Sequence, residues 1–237
     1  MTRTMQRGAL DGAERFDRSY YESSYRDYRR QTPRRKLDAY MRVITRAGWP
    51  TPAGRRPRIL DVGCAFGDFL AVARDRFEPF GTDLSEDATA DAREALPAAT
   101  ICPGGIEAVG TTPLVGPFEV VTALDVLEHL DRPGEALDRI GRVLVPGGLV
   151  LVVVPVYDGP LGWLVRRLDR DPTHVQKHGR AYWISLVEQR FELVEIRGVF
   201  RYLLGGRFYV HFTGRALAPV SPALILAARR PLQASDR

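Results

Sequence analysis

Arg58-Ile59-Leu60-Asp61-Val62-Gly63-Cys64-Ala65-Phe66-Gly67-Asp68 joins a short apolar run to a glycine turn. Arg58 to Val62 is too short for a helix and reads as a buried strand. Gly63 and Gly67 permit a tight turn and a close approach of backbone to a ligand. A helical stretch, Asp68 to Arg76, follows, and its first turn offers free N–H groups. A strand that passes through a glycine turn into a helix opens a parallel sheet. Such sheets bind ligands beyond the carboxyl ends of their strands.

Downstream the alternation continues. Phe77 to Leu84 reads as a second strand, Ser85-Glu86-Asp87 as a helix start and Ala88 to Leu96 as the helix. Ala99 to Cys102 is a third strand and Phe118 to Leu124 a fourth, followed by a helical Val126 to Leu144. Pro146-Gly147-Gly148 is a sharp turn. Leu149 to Val156 is a fifth strand, apolar on both faces as a central parallel strand is. Tyr157 to Gln189 breaks the rhythm and reads as an inserted helical or loop region. Phe191 to Val199 looks like a sixth strand and Ala223 to Ala228 like a seventh. Tyr202 to Val220 is rich in glycine and aromatics, without a clear period. The order predicts an α/β fold: a doubly wound, mostly parallel seven-stranded sheet with helices on both faces.

Upstream, residues 1–15 are polar and aperiodic. Phe16 to Ala47 is helical, with Leu37, Tyr40, Met41 and Ile44 on one face. Tyr20, Tyr21, Tyr25 and Tyr28 also share the spacing of one helix face. Trp49-Pro50-Thr51-Pro52-Ala53-Gly54 ends that helix as a linker. The chain thus divides into an N-terminal helical arm or lid, residues 1–54, and a domain, residues 55–237, with an insertion at about 157–189.

Composition narrows the class. The 237 residues are 45% hydrophobic and 27% charged, an ordinary globular balance. No apolar run approaches the roughly 20 residues that span a bilayer. The N-terminus lacks the apolar core of a signal peptide, so a cytoplasmic location is expected. Cys64 and Cys102 form no CxxC pair and no zinc-type spacing, so neither a disulfide nor a metal site is expected. The net charge of +5 is carried almost wholly by arginine, with Lys36 and Lys177 as the only lysines. Apart from Arg29 to Lys36 the basic residues are scattered, and no nucleic-acid partner is expected.

The glycine loop also discriminates among ligands. A dinucleotide loop reads G-x-G-x-x-G, and that spacing here falls on Gly63, Ala65 and Asp68. The third glycine is absent. Asp61 and Asp68 flank the loop and would repel a pyrophosphate, which disfavours a nicotinamide-dependent oxidoreductase. The same carboxylates suit a ligand that carries an ammonium and a sulfonium. Asp83, twenty residues after Gly63, ends the second strand, where a carboxylate accepts hydrogen bonds from both hydroxyls of a ribose. Its plainer role is a helix N-cap, for which Ser85 is the readier residue.

These segments together resemble class I S-adenosylmethionine-dependent methyltransferases. Ile59 to Gly67 is similar to their first motif, and Gly81-Thr82-Asp83-Leu84-Ser85 to their second. Ala123-Leu124-Asp125-Val126-Leu127-Glu128-His129-Leu130 resembles the segment that ends their fourth strand, and Leu144-Val145-Pro146-Gly147-Gly148 the turn before their fifth. The resemblance implies a Rossmann-like fold and S-adenosyl-L-methionine as cofactor. It assigns cofactor contacts to Gly63, Cys64, Ala65, Gly67, Asp83, Leu84, Leu124 and Asp125. Asp61 would act through loop order or water, and Tyr21 or Tyr25 as a lid. Cys64 otherwise reads as a small filler. Two positions depart from the pattern. Ala65 stands for the usual middle glycine, a mild change. Gly104-Gly105-Ile106-Glu107 has glycine where an acid is expected, which leaves adenine to backbone groups and Ile106, with Glu107 as a substitute.

The expected reaction is in-line methyl transfer, most readily to oxygen of a small molecule such as a sugar, lipid-like or secondary-metabolite acceptor. Asp171-Pro172-Thr173-His174-Val175 is by default a turn and cap. The resemblance places such a segment near the acceptor and makes His174 a candidate general base. His129 is a second catalytic candidate and His178 a poorer one, while Glu128 reads as a surface or helix-start residue. A nucleic-acid or protein methyltransferase lacks support, since neither an N-P-P-Y motif nor a concentrated basic face occurs. A non-catalytic ligand-binding module on the same fold would tolerate loss of the glycine loop and Asp83, which are intact. Val199 to Phe212 suits a greasy pocket or a homodimer seam. Arg166-Arg167 beside Leu161, Trp163 and Leu164 suits a membrane surface or an anionic substrate. Plain folding roles rank above both.

Overall fold

A computed structural model describes residues 32–169, 171–204 and 208–232. Eight strands form one sheet in the order β3-β2-β1-β4-β5-β8-β6-β7. They are β1 Arg58–Val62, β2 Glu78–Asp83, β3 Thr100–Pro103, β4 Phe118–Leu124, β5 Leu144–Pro155, β6 Glu192–Leu204, β7 Phe208–Gly214 and β8 Ala223–Arg229. Strands β1 to β5 pair in parallel. β8 joins β5, β6 joins β8 and β7 joins β6, all antiparallel. The eighth strand corrects the expected seven. It lies in the aperiodic stretch after Tyr202, where a hairpin at the sheet edge is partly solvated on both faces and shows no clean alternation. Phe200 and Phe212 stack across that hairpin with ring centroids 5.2 Å apart.

The helices are α1 Arg34–Ala47, α2 Asp68–Ala73, α3 Glu86–Ala95, α4 Pro133–Val143, α5 Gly162–Leu168 and α6 Arg180–Glu188. Side chains alternate across each strand, so the sheet divides the core in two. Leu60, Val150, Val152, Leu224 and Leu226 face α4 and α6. Ile59, Leu149, Leu151, Ile225 and Ala227 face α1 to α3. α1 contributes Leu37, Tyr40, Met41, Val43 and Ile44 to this second core. The described part of the arm is therefore packed on the sheet. Pro33 stands at its N-cap. Residues 16–31 of the expected helix, including Tyr20, Tyr21, Tyr25 and Tyr28, lie outside the described residues.

Two boundaries differ from expectation for backbone reasons. The helix expected from Val126 is a short 3-10 turn, Leu127–His129, and then α4. Pro133 has no N–H to donate and keeps the preceding residue out of helical conformation. Arg132 accordingly has φ −130° and ψ 70°. β5 starts at Leu144, before the Pro146-Gly147-Gly148 turn. That turn is a bulge, because Phe118 pairs with Leu144 and Val120 with Leu149.

The insertion after β5 consists of α5, a loop and α6. Among the described residues no helix is long and apolar enough to cross a membrane. α6 is anchored by Trp183, wholly buried in the α4 side of the core. Trp183→Ala is expected to lower unfolding free energy by about 3–5 kcal/mol, measured by urea denaturation; a loss under about 1 kcal/mol would show that α6 is not part of the cooperative core.

Candidate functional site

The loop after β1 is tied to the end of β2 by main-chain and carboxylate bonds. Gly63 N and Cys64 N both donate to the Thr82 carbonyl, at 2.7 and 3.0 Å. Ala65 N donates to Asp83 Oδ2 at 2.8 Å, and Ser85 N to Asp83 Oδ1 at 2.9 Å. The Asp83 carboxylate, 7% exposed, therefore straddles two loops. Ser85 takes the N-cap of α3 by accepting from Ala88 N, so Asp83 is not the cap.

Gly63, Ala65 and Gly67 all adopt left-handed φ, at 74°, 45° and 77°. A Cβ on Gly63 would stand 2.5 Å from Val126 Cγ2, so no side chain fits there. At Ala65 the same conformation costs an L-residue about 1–2 kcal/mol. The departure from glycine is strained rather than mild. Cys64 is buried beside Gly81, whose added Cβ would lie 2.9 Å from Sγ. Burial, with the Asp83 charge, pushes its thiol pKa well up, which suits the filler role.

Asp61 does not bond the loop's N–H groups. It is 2% exposed, and its Oδ1 accepts from the Thr122 hydroxyl of β4 at 2.6 Å. Burial pushes its pKa up to about 8, against the Thr122 bond and with the Asp83 charge adding to the rise. At neutral pH Asp61 holds its proton. The carboxylate argument against a pyrophosphate thus rests on Asp83 and Asp68.

The loop after β3 hangs from the same strand end. Thr82 Oγ1 donates to the Gly104 carbonyl at 2.6 Å, and Gly104 N to the Asp83 carbonyl at 2.8 Å. Leu84 packs over Gly105, where an added Cβ would lie 3.0 Å from Leu84 Cδ2. Ile106 is half-buried beside it. Glu107 is exposed and folds back, Oε1 accepting from Gly105 N at 2.8 Å.

At the end of β4, Leu124 is half-buried and Asp125 has φ 60°, rare for a residue with a side chain. Asp125 is clasped by Arg201 of β6, with Nη2 to Oδ1 at 2.5 Å and Nη1 to Oδ2, and by Lys36 of α1 at 4.0 Å. Burial pushes the Asp125 carboxyl up, but the Arg201 charge and hydrogen bond outweigh it and hold it below the usual range. Burial brings the Lys36 ammonium down to about 8. Lys36 and Arg201 carried no sequence signal, because their roles depend on elements far apart in the chain.

The insertion reaches this strand end through main-chain bonds. Val175 N and Gln176 N donate to the Glu128 carbonyl at 3.0 and 2.9 Å. This brings the His129 and His174 rings to a centroid distance of 4.7 Å. His174 Nδ1 lies 2.9 Å from Asp169 Oδ1, and Tyr157 OH and Lys177 Nζ lie 2.7 and 2.8 Å from Oδ2. His129 Nδ1 lies 3.2 Å from the Thr173 carbonyl and 2.9 Å from Thr173 Oγ1. Thr173 Oγ1 itself donates to Asp171 Oδ1. Both Nδ1 atoms therefore face acceptors, and the tautomer that donates to them carries its lone pair on Nε2. His178 bonds Gln176 and stacks on Tyr182 instead. Glu128 is wholly buried, not a surface residue. Tyr157, Asp169 and Lys177 belong to the site too, and nothing local in the sequence marks them.

Residues 28–195 match the family described as methyltransferase domain. The chain belongs to that family. It is a class I S-adenosylmethionine-dependent methyltransferase. A ubiquinone biosynthesis O-methyltransferase of Caulobacter sp. (strain K31) is 36% identical over 115 residues, which is 42% of each chain. The methyltransferase thus spans under half the length of the curated relatives it matches. Its fold is similar to a solved S-adenosylmethionine-dependent methyltransferase from Thermotoga maritima, with TM-score 0.61, 16% identity and coverage of 89% of this chain and 93% of the other. It is also similar to magnesium protoporphyrin IX methyltransferase from Synechocystis PCC 6803, solved with bound S-adenosylhomocysteine, with TM-score 0.61, 17% identity and coverage of 90% and 97%. S-adenosylmethionine is the cofactor of this methyltransferase. The side chains fit it: a buried carboxylate beside the apolar Leu84 and Ile106, reached through turns at Gly63 and Gly105 that a Cβ would fill.

The raised Asp61 pKa has a consequence for stability. The folded chain holds this proton more tightly than the unfolded chain, whose carboxyl titrates near 3.8. Its contribution is fully present below that value and is lost as pH rises through about 8. Asp61→Asn keeps an acceptor for Thr122 and removes the titration. Its Tm relative to wild type is expected to climb between about pH 5 and pH 8; a pH-independent difference would mean that Asp61 is ionised in the fold.

Proposed function

We propose that this methyltransferase methylates an oxygen of a small molecule of the sugar, lipid-like or secondary-metabolite kind. The observation that carries the reading is the pair His129 and His174 beside Asp125, each ring oriented through Nδ1 with its lone pair on Nε2. A hydroxyl acceptor must lose a proton as it is methylated, and a fixed imidazole nitrogen takes it. The printed name of the Caulobacter relative, an O-methyltransferase, agrees with this choice. A nucleic-acid acceptor is not favoured, since Arg180, Arg190, Arg197 and Arg201 are each paired with a carboxylate.

In this reading Asp83 holds the ribose, and Leu84 and Ile106 flank adenine, with Glu107 at its edge. The backbone of Gly63, Cys64, Ala65 and Gly67 shapes the loop around the amino-acid end, and Asp61 supports it from beneath. Leu124 and Asp125 form the wall toward the acceptor. Bound cofactor supplies an activated methyl group on a sulfonium. The chain positions the acceptor oxygen in line with it and excludes water. Residues 1–54 serve as the arm and 157–189 as the acceptor-shaping insertion. A cytoplasmic location completes the reading, as does a homodimer through the β7 edge, where Phe212 is 49% exposed. Sedimentation of the full chain should show twice the monomer mass, and a monomer at all concentrations would remove the dimer.

Calorimetric titration with S-adenosylhomocysteine tests the cofactor pocket. The wild type is expected to bind at micromolar concentration, and Asp83→Ala at least about 100-fold more weakly, about 2.7 kcal/mol. Undiminished binding by the variant would remove Asp83 as ribose anchor. No binding by folded wild type would overturn the methyl-transfer reading.

A further inference from the structure

Glu128 stands apart from other buried acids of the described residues. Glu119 is paired with Arg55, Glu195 with Arg197 and Arg215, and Asp125 with Arg201. Glu128 is 0% exposed, and neither carboxylate oxygen has a hydrogen-bond partner among the described residues. A buried, unpaired carboxyl costs several kcal/mol, on the order of the penalty for any uncompensated polar burial. Folds keep such a group where something else uses it.

Its neighbours are nitrogen ligands. One ligand atom each from Glu128, His129 and His174 lies within 4.8 Å of the others. Donor atoms on a single cation, each about 2.1 Å from it, lie at most about 4.2 Å apart, so small side-chain rotations close the set. Both imidazoles are prepared as ligands. The Asp169 carboxylate holds His174 Nδ1 at 2.9 Å, and Asp169 is itself fixed by Tyr157 and Lys177. Thr173 holds His129 Nδ1. A carboxylate or carbonyl on the far nitrogen is the usual outer support of a metal-bound histidine. Asp171 Oδ2 lies 3.9 Å from His174 Nε2 and adds negative charge there.

We propose that Glu128, His129 and His174 bind a divalent cation on the acceptor side of the site. Two imidazoles and one carboxylate favour a borderline ion of the Mn2+ to Zn2+ series over Mg2+ or Ca2+, which prefer all-oxygen sets. Three protein ligands leave coordination positions open to water or to acceptor oxygens. The acceptor would then carry paired oxygen donors, such as vicinal hydroxyls. With the cation in place His129 and His174 serve as its ligands, so proton acceptance by an imidazole, proposed above, describes the metal-free site, and Glu128 acquires the partner that the fold withholds. Cation binding itself does not rest on the methyl-transfer reading; only the acceptor's nature does.

The test is titration of the chelator-stripped full chain with Co2+, followed by visible ligand-field absorption and by equilibrium dialysis. The wild type is expected to take up one equivalent at micromolar or lower free Co2+, competed by Zn2+. Glu128→Gln preserves volume and removes a buried acid, so it is expected to fold at least as stably as metal-free wild type. It and His174→Asn are expected to bind Co2+ about 100-fold or more weakly. Asp169→Asn, which touches only the support, should lose about 10–100-fold. Zn2+ should raise the Tm of the wild type but not of Glu128→Gln. Affinity for S-adenosylhomocysteine should be the same in Glu128→Gln and wild type, which separates this result from failure of the cofactor pocket. A folded wild type that takes up no Co2+, or binds it no better than Glu128→Gln and His174→Asn do, overturns the proposal.

Discussion

The Asp83 carboxylate holds together the half of the site that lies over β1 to β3. One oxygen fixes Ala65 in the loop after β1 and the other fixes Ser85 at the start of α3. Its own carbonyl and the neighbouring Thr82 hydroxyl hold Gly104 in the loop after β3. Three loops thus converge on the last two residues of one short strand. Parallel pairing of β2 with β1 and β3 sets their heights, and the carboxylate sets their orientation. Strain at Ala65 is tolerated because these bonds leave the backbone no other course.

Most of this half was legible in the sequence. Parallel strands buried on both faces give continuous apolar runs, and glycine turns punctuate them, so β1, β4, β5 and β8 stood out. Gly63 and Gly67 read as turn residues, and the structure shows left-handed φ at both. The edge was harder. β7 is partly solvated and adjoins a single neighbour, so its pattern carries no period. α4 was misplaced because the apolar spacing from Val126 continues across Pro133, and the ring, not the pattern, sets the helix start.

The surroundings of Asp125 were legible only in fragments. His129 and His174 could be named, but Glu128 looked like a helix-start residue because local spacing says nothing about burial. Its surroundings come from the insertion folding back over β4. Arg201 and Lys36 meet Asp125 from β6 and from α1, elements on opposite sides of it in sequence. Charge partners of that kind are invisible to any window of neighbouring residues. Asp61 illustrates the converse. Its place in the first strand can be read from the motif, but its ionisation depends on burial against β4, which no local pattern shows.

The insertion docks on β4 through the carbonyl of Glu128, which accepts from Val175 N and Gln176 N. A carbonyl oxygen belongs to every residue type, so no substitution at 128 deletes this acceptor, and only proline at 175 or 176 removes a donor. Outside buried anchors such as Trp183, side chains along 157–189 can therefore diverge without releasing these two bonds or disturbing the loops on β2. Such modular attachment lets evolution rewrite this segment while the sheet and its loops stay constant.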